Sequence, residues 1–237
     1  MSKALYELGG LRFWSENEIE LRRMIEDRLV SVVKNTLRET NPAWQFHRTE
    51  GPMLTPRVHI SEAFSGDDVF VTNHAALGDT LCLRAETTAS SYLYAKSLNT
   101  KLPLCVYQSG KSFRREQNDG ASASKLRFNE FWQLEFQCIY PENTKNDYRT
   151  HLINALSPEV KRFTGLNTRI VESDRLPSYS ESTYDIEVEY DYNKWREVAS
   201  CSIRTDYSPV TKVCEIAFGL DRLTVFANNY NKETLNV

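Results

Sequence analysis

An α+β fold, a mostly antiparallel sheet with helices packed on it, is the class this sequence predicts. Helical periodicity marks the start and the middle of the chain, and many consecutive strand-like runs fill the space between. With 237 residues, 41% of them hydrophobic, the chain can bury a substantial core and is expected to form one domain spanning 1–237.

The elements follow in order. Ser15-Glu16-Asn17-Glu18 reads as a capping box. Ile19, Ile25, Leu29, Val32, Val33 and Leu37 then recur at helical spacing, so one amphipathic helix is expected to about Glu39, stopping before Asn41-Pro42. An extended segment from Trp44 to Pro56 carries prolines suited to strand edges or turns. Asp68–Thr72 and Thr80–Arg84 read as short strands with a Gly-Asp turn before the second, Thr87–Leu98 as a helix and Leu104–Tyr107 as a strand. A hairpin is expected next, with Lys111–Gln117 as one arm and Phe128–Tyr140 as the other. Asp147–Leu156 and Ser157–Phe163 look helical. Thr168–Glu172, Tyr184–Tyr190, Arg196–Arg204 and Val213–Phe218 look like strands, and a short helix, Leu220–Ala227, closes the set.

Composition limits the function. Lys and Arg number 29 against 32 Asp and Glu, and the net charge of -3 exerts no global pull on nucleic acid, so any polyanion site must be a local patch. The five cysteines are scattered without a Cys-x-x-Cys pair, which suits free thiols in a reducing compartment. The four histidines show no metal-ligand spacing. No apolar run approaches the ~20 residues of a membrane span, and MSKALYELGG is not a signal peptide. The expected location is the cytoplasm.

The hairpin is unusual. It places Arg114 and Glu116 before a small-residue loop, then Arg127, Glu130 and Phe131 as the chain returns. Arg114 and Glu116 alone would read as a cross-strand ion pair, and Phe131 or its neighbour Trp132 as core, depending on which strand face is buried. Two further segments bracket it: Thr49-Glu50-Gly51-Pro52-Met53-Leu54-Thr55-Pro56, and Phe218-Gly219-Leu220-Asp221-Arg222-Leu223.

In this order the three segments resemble motifs 1, 2 and 3 of the class II aminoacyl-tRNA synthetases. The details are most similar to the glycyl enzymes, in the subgroup that includes the prolyl, threonyl and seryl enzymes. Leu83-Arg84-Ala85-Glu86-Thr87 resembles that subgroup's Leu-Arg-Pro-Glu-Thr, and Glu130-Phe131-Trp132-Gln133-Leu134-Glu135 the glycyl Glu-Phe-x-Gln-x-Glu. Glu197 with Ile203-Arg204-Thr205-Asp206-Tyr207, and Val213-Cys214-Glu215, complete the likeness, which runs from about Leu11 to Phe226.

The resemblance implies ATP-dependent activation of an amino acid as its adenylate, with glycine favoured, and transfer to tRNA. It implies Arg114 on the α-phosphate, Arg222 on the γ-phosphate, Arg127 assisting at the β/γ end, Phe131 stacked on adenine and Glu116 accepting from the adenine amine. Arginines suit the task because a guanidinium binds phosphate oxygens bidentately and stays charged. It implies Glu86, Glu135 and Glu215, with Arg204 nearby, as the amino-acid site. Paired carboxylates also suit Mg²⁺, with Glu215 the candidate ligand, and the residues do not divide ammonium duty from metal duty. A homodimer through the long helix and the Pro52 segment is expected. One departure stands out: Ile216-Ala217 follows Glu215 where the glycyl pattern has Pro-Ser, a serine expected to touch substrate.

The loop Gly120–Lys125 fits a contact with the tRNA acceptor end and a solvated loop equally. The subgroup usually carries an anticodon-binding domain after motif 3, and too little chain follows Arg222 for one, so none is expected. Three readings remain: a minimal synthetase acting on the tRNA acceptor stem, a ligase acylating another acceptor such as a carrier protein or small molecule, and a non-catalytic accessory subunit. Retention of both ATP arginines counts against the last.

Overall fold

Helix α1, Glu16–Thr40, starts at the expected cap: Glu18 N donates to Ser15 Oγ at 3.4 Å, and Ser15 N to Glu18 Oε2 at 3.0 Å. Its buried residues Ile25, Leu29, Val33 and Leu37 repeat every fourth position and form one stripe against the sheet. The computed structural model describes residues 10–60, 64, 66–72, 81–115, 121–122, 125–174 and 176–235.

After α1 come β1 (Gln45–Arg48), β2 (Leu54–Pro56), β3 (Leu81–Leu83), α2 (Thr88–Ser97), β4 (Leu104–Phe113) and β5 (Glu130–Pro141). Then follow α3 (Tyr148–Thr164), β6 (Thr168–Glu172), β7 (Ser180–Asp191), β8 (Lys194–Arg204), β9 (Thr211–Gly219) and α4 (Leu220–Leu235). Seven strands form one sheet in the order β1-β4-β5-β9-β8-β7-β6, antiparallel except for the β1–β4 pair. The α+β reading therefore holds.

Several boundaries differ from expectation, each for a physical reason. The runs Leu104–Tyr107 and Lys111–Gln117 are one strand through Gly110, which the chain leaves at Arg114. Glycine weakens a strand unless something approaches it closely. Here Arg84 does: a Cβ at Gly110 would lie 2.2 Å from Arg84 Nη2. The two helices expected around Ser157 are the single helix α3, which runs through Pro158. The lost hydrogen bond is tolerated because Leu152, Ile153, Leu156 and Val160, on both sides of the proline, are locked in the core. Gly165 then ends the helix at φ 65°, its N–H bonded to Lys161 O at 2.8 Å. Asp68–Thr72 is not a full strand: a 3₁₀ turn covers Gly66–Asp68, and Val71 makes a lone bridge to Cys82. Thr80 and the Gly-Asp turn lie outside the described residues. The last helix runs past Ala227 to Leu235.

The sheet has two unlike faces. Helices α1, α3 and α4 cover one, where Tyr107, Leu134, Phe136, Cys138, Ile216 and Phe218 are buried. The alternate residues of the same strands face the other way: Gln108, Gln133, Glu135, Gln137 and Glu215 make a polar stretch there, beside a smaller apolar cluster of Leu104, Val106, Ile139 and Val213 with Ala95 of α2. Side-chain alternation along each strand thus builds a hydrophobic core and a polar floor from the same residues' neighbours.

Candidate active site

The floor is set by register. Gln108, Glu135, Ala217 and Ser200 stand opposite one another across β4, β5, β9 and β8. The adjacent row holds Gln137, Glu215 and Ser202, and the row on the other side Gly110, Gln133 and Gly219.

At one end of this floor lies a cleft whose lining includes Arg114, Arg127, Phe131, Glu197, Ser200 and Arg222. The structure thus gathers three of the four sequence-predicted arginines and the predicted stacking ring, which come from the hairpin and from the first turn of α4. Arg114 lies just beyond β4, its guanidinium 5.2 Å from the Phe131 ring centre and 4.9 Å from that of Phe64. Its Nε donates to Ala85 O at 3.1 Å. Arg222 is held by two carbonyls, Nε to Leu126 O and Nη1 to Glu197 O, both at 3.0 Å. Neither Arg114 nor Arg222 is paired with a carboxylate among the described residues. Burial pushes the Arg222 guanidinium below its usual value; Glu197 opposes this, while Arg196, Arg114 and Arg127 add to it. A group of cations held near one another by carbonyls and ring faces is a site made for a polyanion. Glu116, expected on the adenine amine, lies outside the described residues.

Strand parity divides the neighbours of this cleft. Lys111, two residues and one pleat from Phe113, sits opposite Trp132 and pairs with Glu130, so it does not join the arginines. Trp132 packs against the core with Arg22 4.7 Å above its ring, and its N–H donates to Asp221 Oδ2 at 3.0 Å.

Beyond Arg114 the three predicted glutamates come together around the N-terminus of α2. Glu135 Oε2 accepts from Thr87 N at 3.0 Å and from the Thr87 hydroxyl, while Gln133 donates to its other oxygen. Glu215 Oε2 accepts from Arg204 Nη1 at 2.8 Å, Gln137 Nε2 at 2.7 Å and Thr88 Oγ1 at 3.0 Å. Glu86 is different: it is only partly buried, and no donor among the described residues reaches its carboxyl. Burial, then Glu135 and Glu215, push it up to about 8, against the pull of Arg204 and Arg114. Glu135 is also raised, by burial and by Glu215, with the Thr87 hydrogen bond opposing. A raised, unsatisfied carboxyl beside two satisfied ones is a place for a cation.

Arg204 occupies a position that spacing could not reveal. Its side chain is 2% exposed and takes Asp206 in a fork, Nε to Oδ1 at 3.2 Å and Nη2 to Oδ2 at 2.6 Å, as well as Glu215. Tyr179 and Tyr92 lie over it at 4.0 and 5.6 Å. Three of its five N–H groups are thereby used within the protein, and it lines a pocket with Glu86, Thr88 and Asp206. The sequence marks Gln133 only as a motif position and does not single out Gln108, Gln137 or Thr88. Their signal is the alternation Gln133-x-Glu135-x-Gln137 against Leu134-x-Phe136-x-Cys138, which places one polar stripe on one face.

Residues 70–212, more than half of the chain, match the family described as tRNA synthetase class II core domain (G, H, P, S and T). The chain is 28% identical over 161 residues to the glycine–tRNA ligase of Mycoplasmopsis synoviae, covering 65% of this chain and 34% of that protein. It is 32% identical over 133 residues to that of Staphylococcus epidermidis, covering 54% and 28%. The chain thus spans about a third of the length of the curated relatives it matches. Among solved structures, it is similar to the Giardia lamblia prolyl-tRNA synthetase in complex with prolyl-adenylate, with a TM-score of 0.67, 13% identity and coverage of 87% and 46%. It is also similar to the cytoplasmic serine-tRNA ligase of Naegleria fowleri in complex with AMP, with a TM-score of 0.69, 14% identity and coverage of 91% and 50%. With its antiparallel sheet, its arginine-lined cleft and its acidic neighbour, the chain belongs to the family of class II tRNA synthetase core domains.

Proposed function

We propose that this chain activates an amino acid, glycine first, by forming its adenylate from ATP, and transfers it to the acceptor end of a tRNA. The observation that carries this reading is the convergence of Arg114, Arg127, Arg222 and Phe131 on one cleft, next to a carboxyl that no donor among the described residues reaches. In the reaction the substrate carboxylate oxygen attacks the α-phosphorus of ATP, an acyl–phosphate bond forms and the bond to the β-phosphate breaks, releasing pyrophosphate. Such a transfer needs positioning and charge stabilisation rather than a covalent residue. Arg114 is assigned to the α-phosphate, where charge develops, Arg222 to the γ-phosphate and Arg127 to the β/γ end, while the Phe131 ring receives the adenine. Arg114 and Arg222 are pre-oriented by their carbonyl partners and lose little freedom on binding.

The substrate ammonium is assigned to Glu86. Glu135 and Glu215 already accept from Thr87, Gln133, Gln137 and Arg204, so they shape the acidic site and Glu86 completes it. Ala217 lies on the cleft floor and puts a methyl group where the glycyl pattern has a hydroxyl. Mg²⁺ would supply counter-charge to the phosphates. Glu215, its expected ligand, has one oxygen taken by three donors, and Glu197, exposed and lining the arginine cleft, is the better-disposed carboxylate.

A homodimer is supported by the exposed apolar residues Met53, Leu54, Val58 and Leu93 around the Pro52 segment. A cytoplasmic setting is supported by five free, buried thiols. The test is aminoacylation: labelled glycine should enter tRNA with wild-type protein and not with Arg114→Ala. Adenylate formation without labelled tRNA would move the acceptor to a carrier protein or small molecule, a reading that the net charge of -3 makes worth testing.

A further inference from the structure

Gln108 plays no part in the scheme above, yet it is fully buried and stands directly opposite Glu135 in the β4–β5 register. Its Oε1 accepts from Gly51 N at 3.0 Å. Its Nε2 lies 3.0 Å from Thr87 O, 2.9 Å from Ser90 Oγ and 2.7 Å from Ser91 Oγ. One amide therefore joins the Gly51-Pro52 segment to the first turn of α2. The residue it holds there, Thr87, is the one whose N–H and hydroxyl both grip Glu135. The far side of the same segment is fixed by Arg84, whose Nη1 donates to Gly51 O at 2.7 Å and Pro52 O at 3.3 Å.

We infer that Gln108 is a positioning residue for the amino-acid end of the site, acting through Thr87 on Glu135. This inference rests on the activation reading above. The amide is suited to the task because it accepts and donates at once, and both of its ends meet backbone groups with few alternatives in the dry interior. Moving Thr87 moves both donors that set the Glu135 carboxylate, and a displacement of about 1 Å at such a group can cost on the order of a hundredfold. None of the four hydrogen-bond partners of Gln108 lines the arginine cleft, so the ATP end is expected to feel its loss less than the amino-acid end.

The experiment is a double-mutant cycle in glycine-dependent ATP–pyrophosphate exchange, using Gln108→Met, Thr87→Val and the pair. Gln108→Met should raise the glycine KM about tenfold to a hundredfold while the ATP KM stays within about twofold. In the pair, the glycine defect should be close to that of the worse single variant, because both act on one carboxylate. Gln108→Glu keeps the size and the acceptor for Gly51 N–H but loses the donor to Thr87, and should show the same selective defect if Gln108→Met does not fold. Equal changes in both KM values, multiplying defects in the pair, or failure of both Gln108 variants to fold would overturn the inference and leave Gln108 a purely structural residue. Silence of the folded wild-type protein would overturn the activation reading, and the inference with it.

Discussion

Glu86 offers the sharpest test of how the acidic site works. Its carboxyl is pushed up to about 8 by burial and by two neighbouring glutamates, and no donor among the described residues relieves it. An ammonium binds the ionised form, so glycine affinity should rise with pH as that form becomes populated. With ionisation near pH 8, the ionised fraction is about 0.09 at pH 7, about 0.5 at pH 8 and about 0.9 at pH 9, and the apparent Kd scales inversely with it. Glycine should therefore bind about fivefold more tightly at pH 8 than at pH 7 and release close to one proton at pH 7. Removing one partner of a buried charge pair costs ~2–5 kcal/mol. At pH 7 about 1.4 kcal/mol is offset, because the wild-type carboxyl must first lose its proton. Glu86→Gln should then bind glycine weakly and with little pH dependence, its defect growing about fivefold between pH 7 and pH 8. Calorimetry with a non-reactive ATP analogue, in buffers of different ionisation heat, measures both affinity and proton release. The sign for stability is opposite. A carboxyl raised in the folded state costs nothing below its unfolded pKa, and the full cost develops above about 8, so the ligand-free wild type should lose Tm from pH 5 to pH 8.5 and Glu86→Gln should lose less. A flat wild-type profile, or a variant that keeps the wild-type slope, would refute the assignment.

Other substitutions separate the remaining parts. Arg114→Ala and Arg222→Ala should each abolish pyrophosphate exchange with the fold intact. Arg222→Ala should also lower Tm more, since it forfeits two carbonyl bonds against one; near-normal exchange in either would sink the phosphate roles. Glu135→Gln, which turns an amide toward the Thr87 donors, should raise the glycine KM more than the ATP KM, and equal effects on both would argue for a metal role instead. Gly110→Ala places a Cβ 2.2 Å from the buried Arg84 guanidinium. It should cost ~1–3 kcal/mol, or roughly 3–10 °C of Tm; an unchanged melting curve would contradict the packing of Arg84 on this strand.

What sequence could and could not convey follows from the range of the interactions. The cap at Ser15 is local chemistry between residues three apart, and it was legible. So was the pairing of the hairpin arms, because the charge pattern and the polar loop are local too. The sequence divides a strand before Lys111 and a helix before Ser157, beside Gly110 and Pro158, whose intrinsic preferences oppose continuation. Arg84, just beyond β3, and the buried leucines of α3 override those preferences, and neither is visible in a local window. Lys111, three residues before Arg114, is kept apart from the arginines by strand parity and pairs with Glu130, which local spacing does not convey. Arg204 was legible as a neighbour of the acidic site, but its partners Asp206, Glu215, Tyr92 and Tyr179 were not, because only the fold brings those four together. Gln108 escaped notice for a similar reason: its partners, Gly51, Thr87 and Ser91, are distant in sequence and mostly backbone.

Amino-acid-dependent ATP–pyrophosphate exchange, run over all twenty amino acids without any acceptor, tests the central claim most directly. The account predicts a signal with glycine that disappears in Arg114→Ala. No signal with any amino acid, from folded protein that binds ATP by calorimetry, would contradict it.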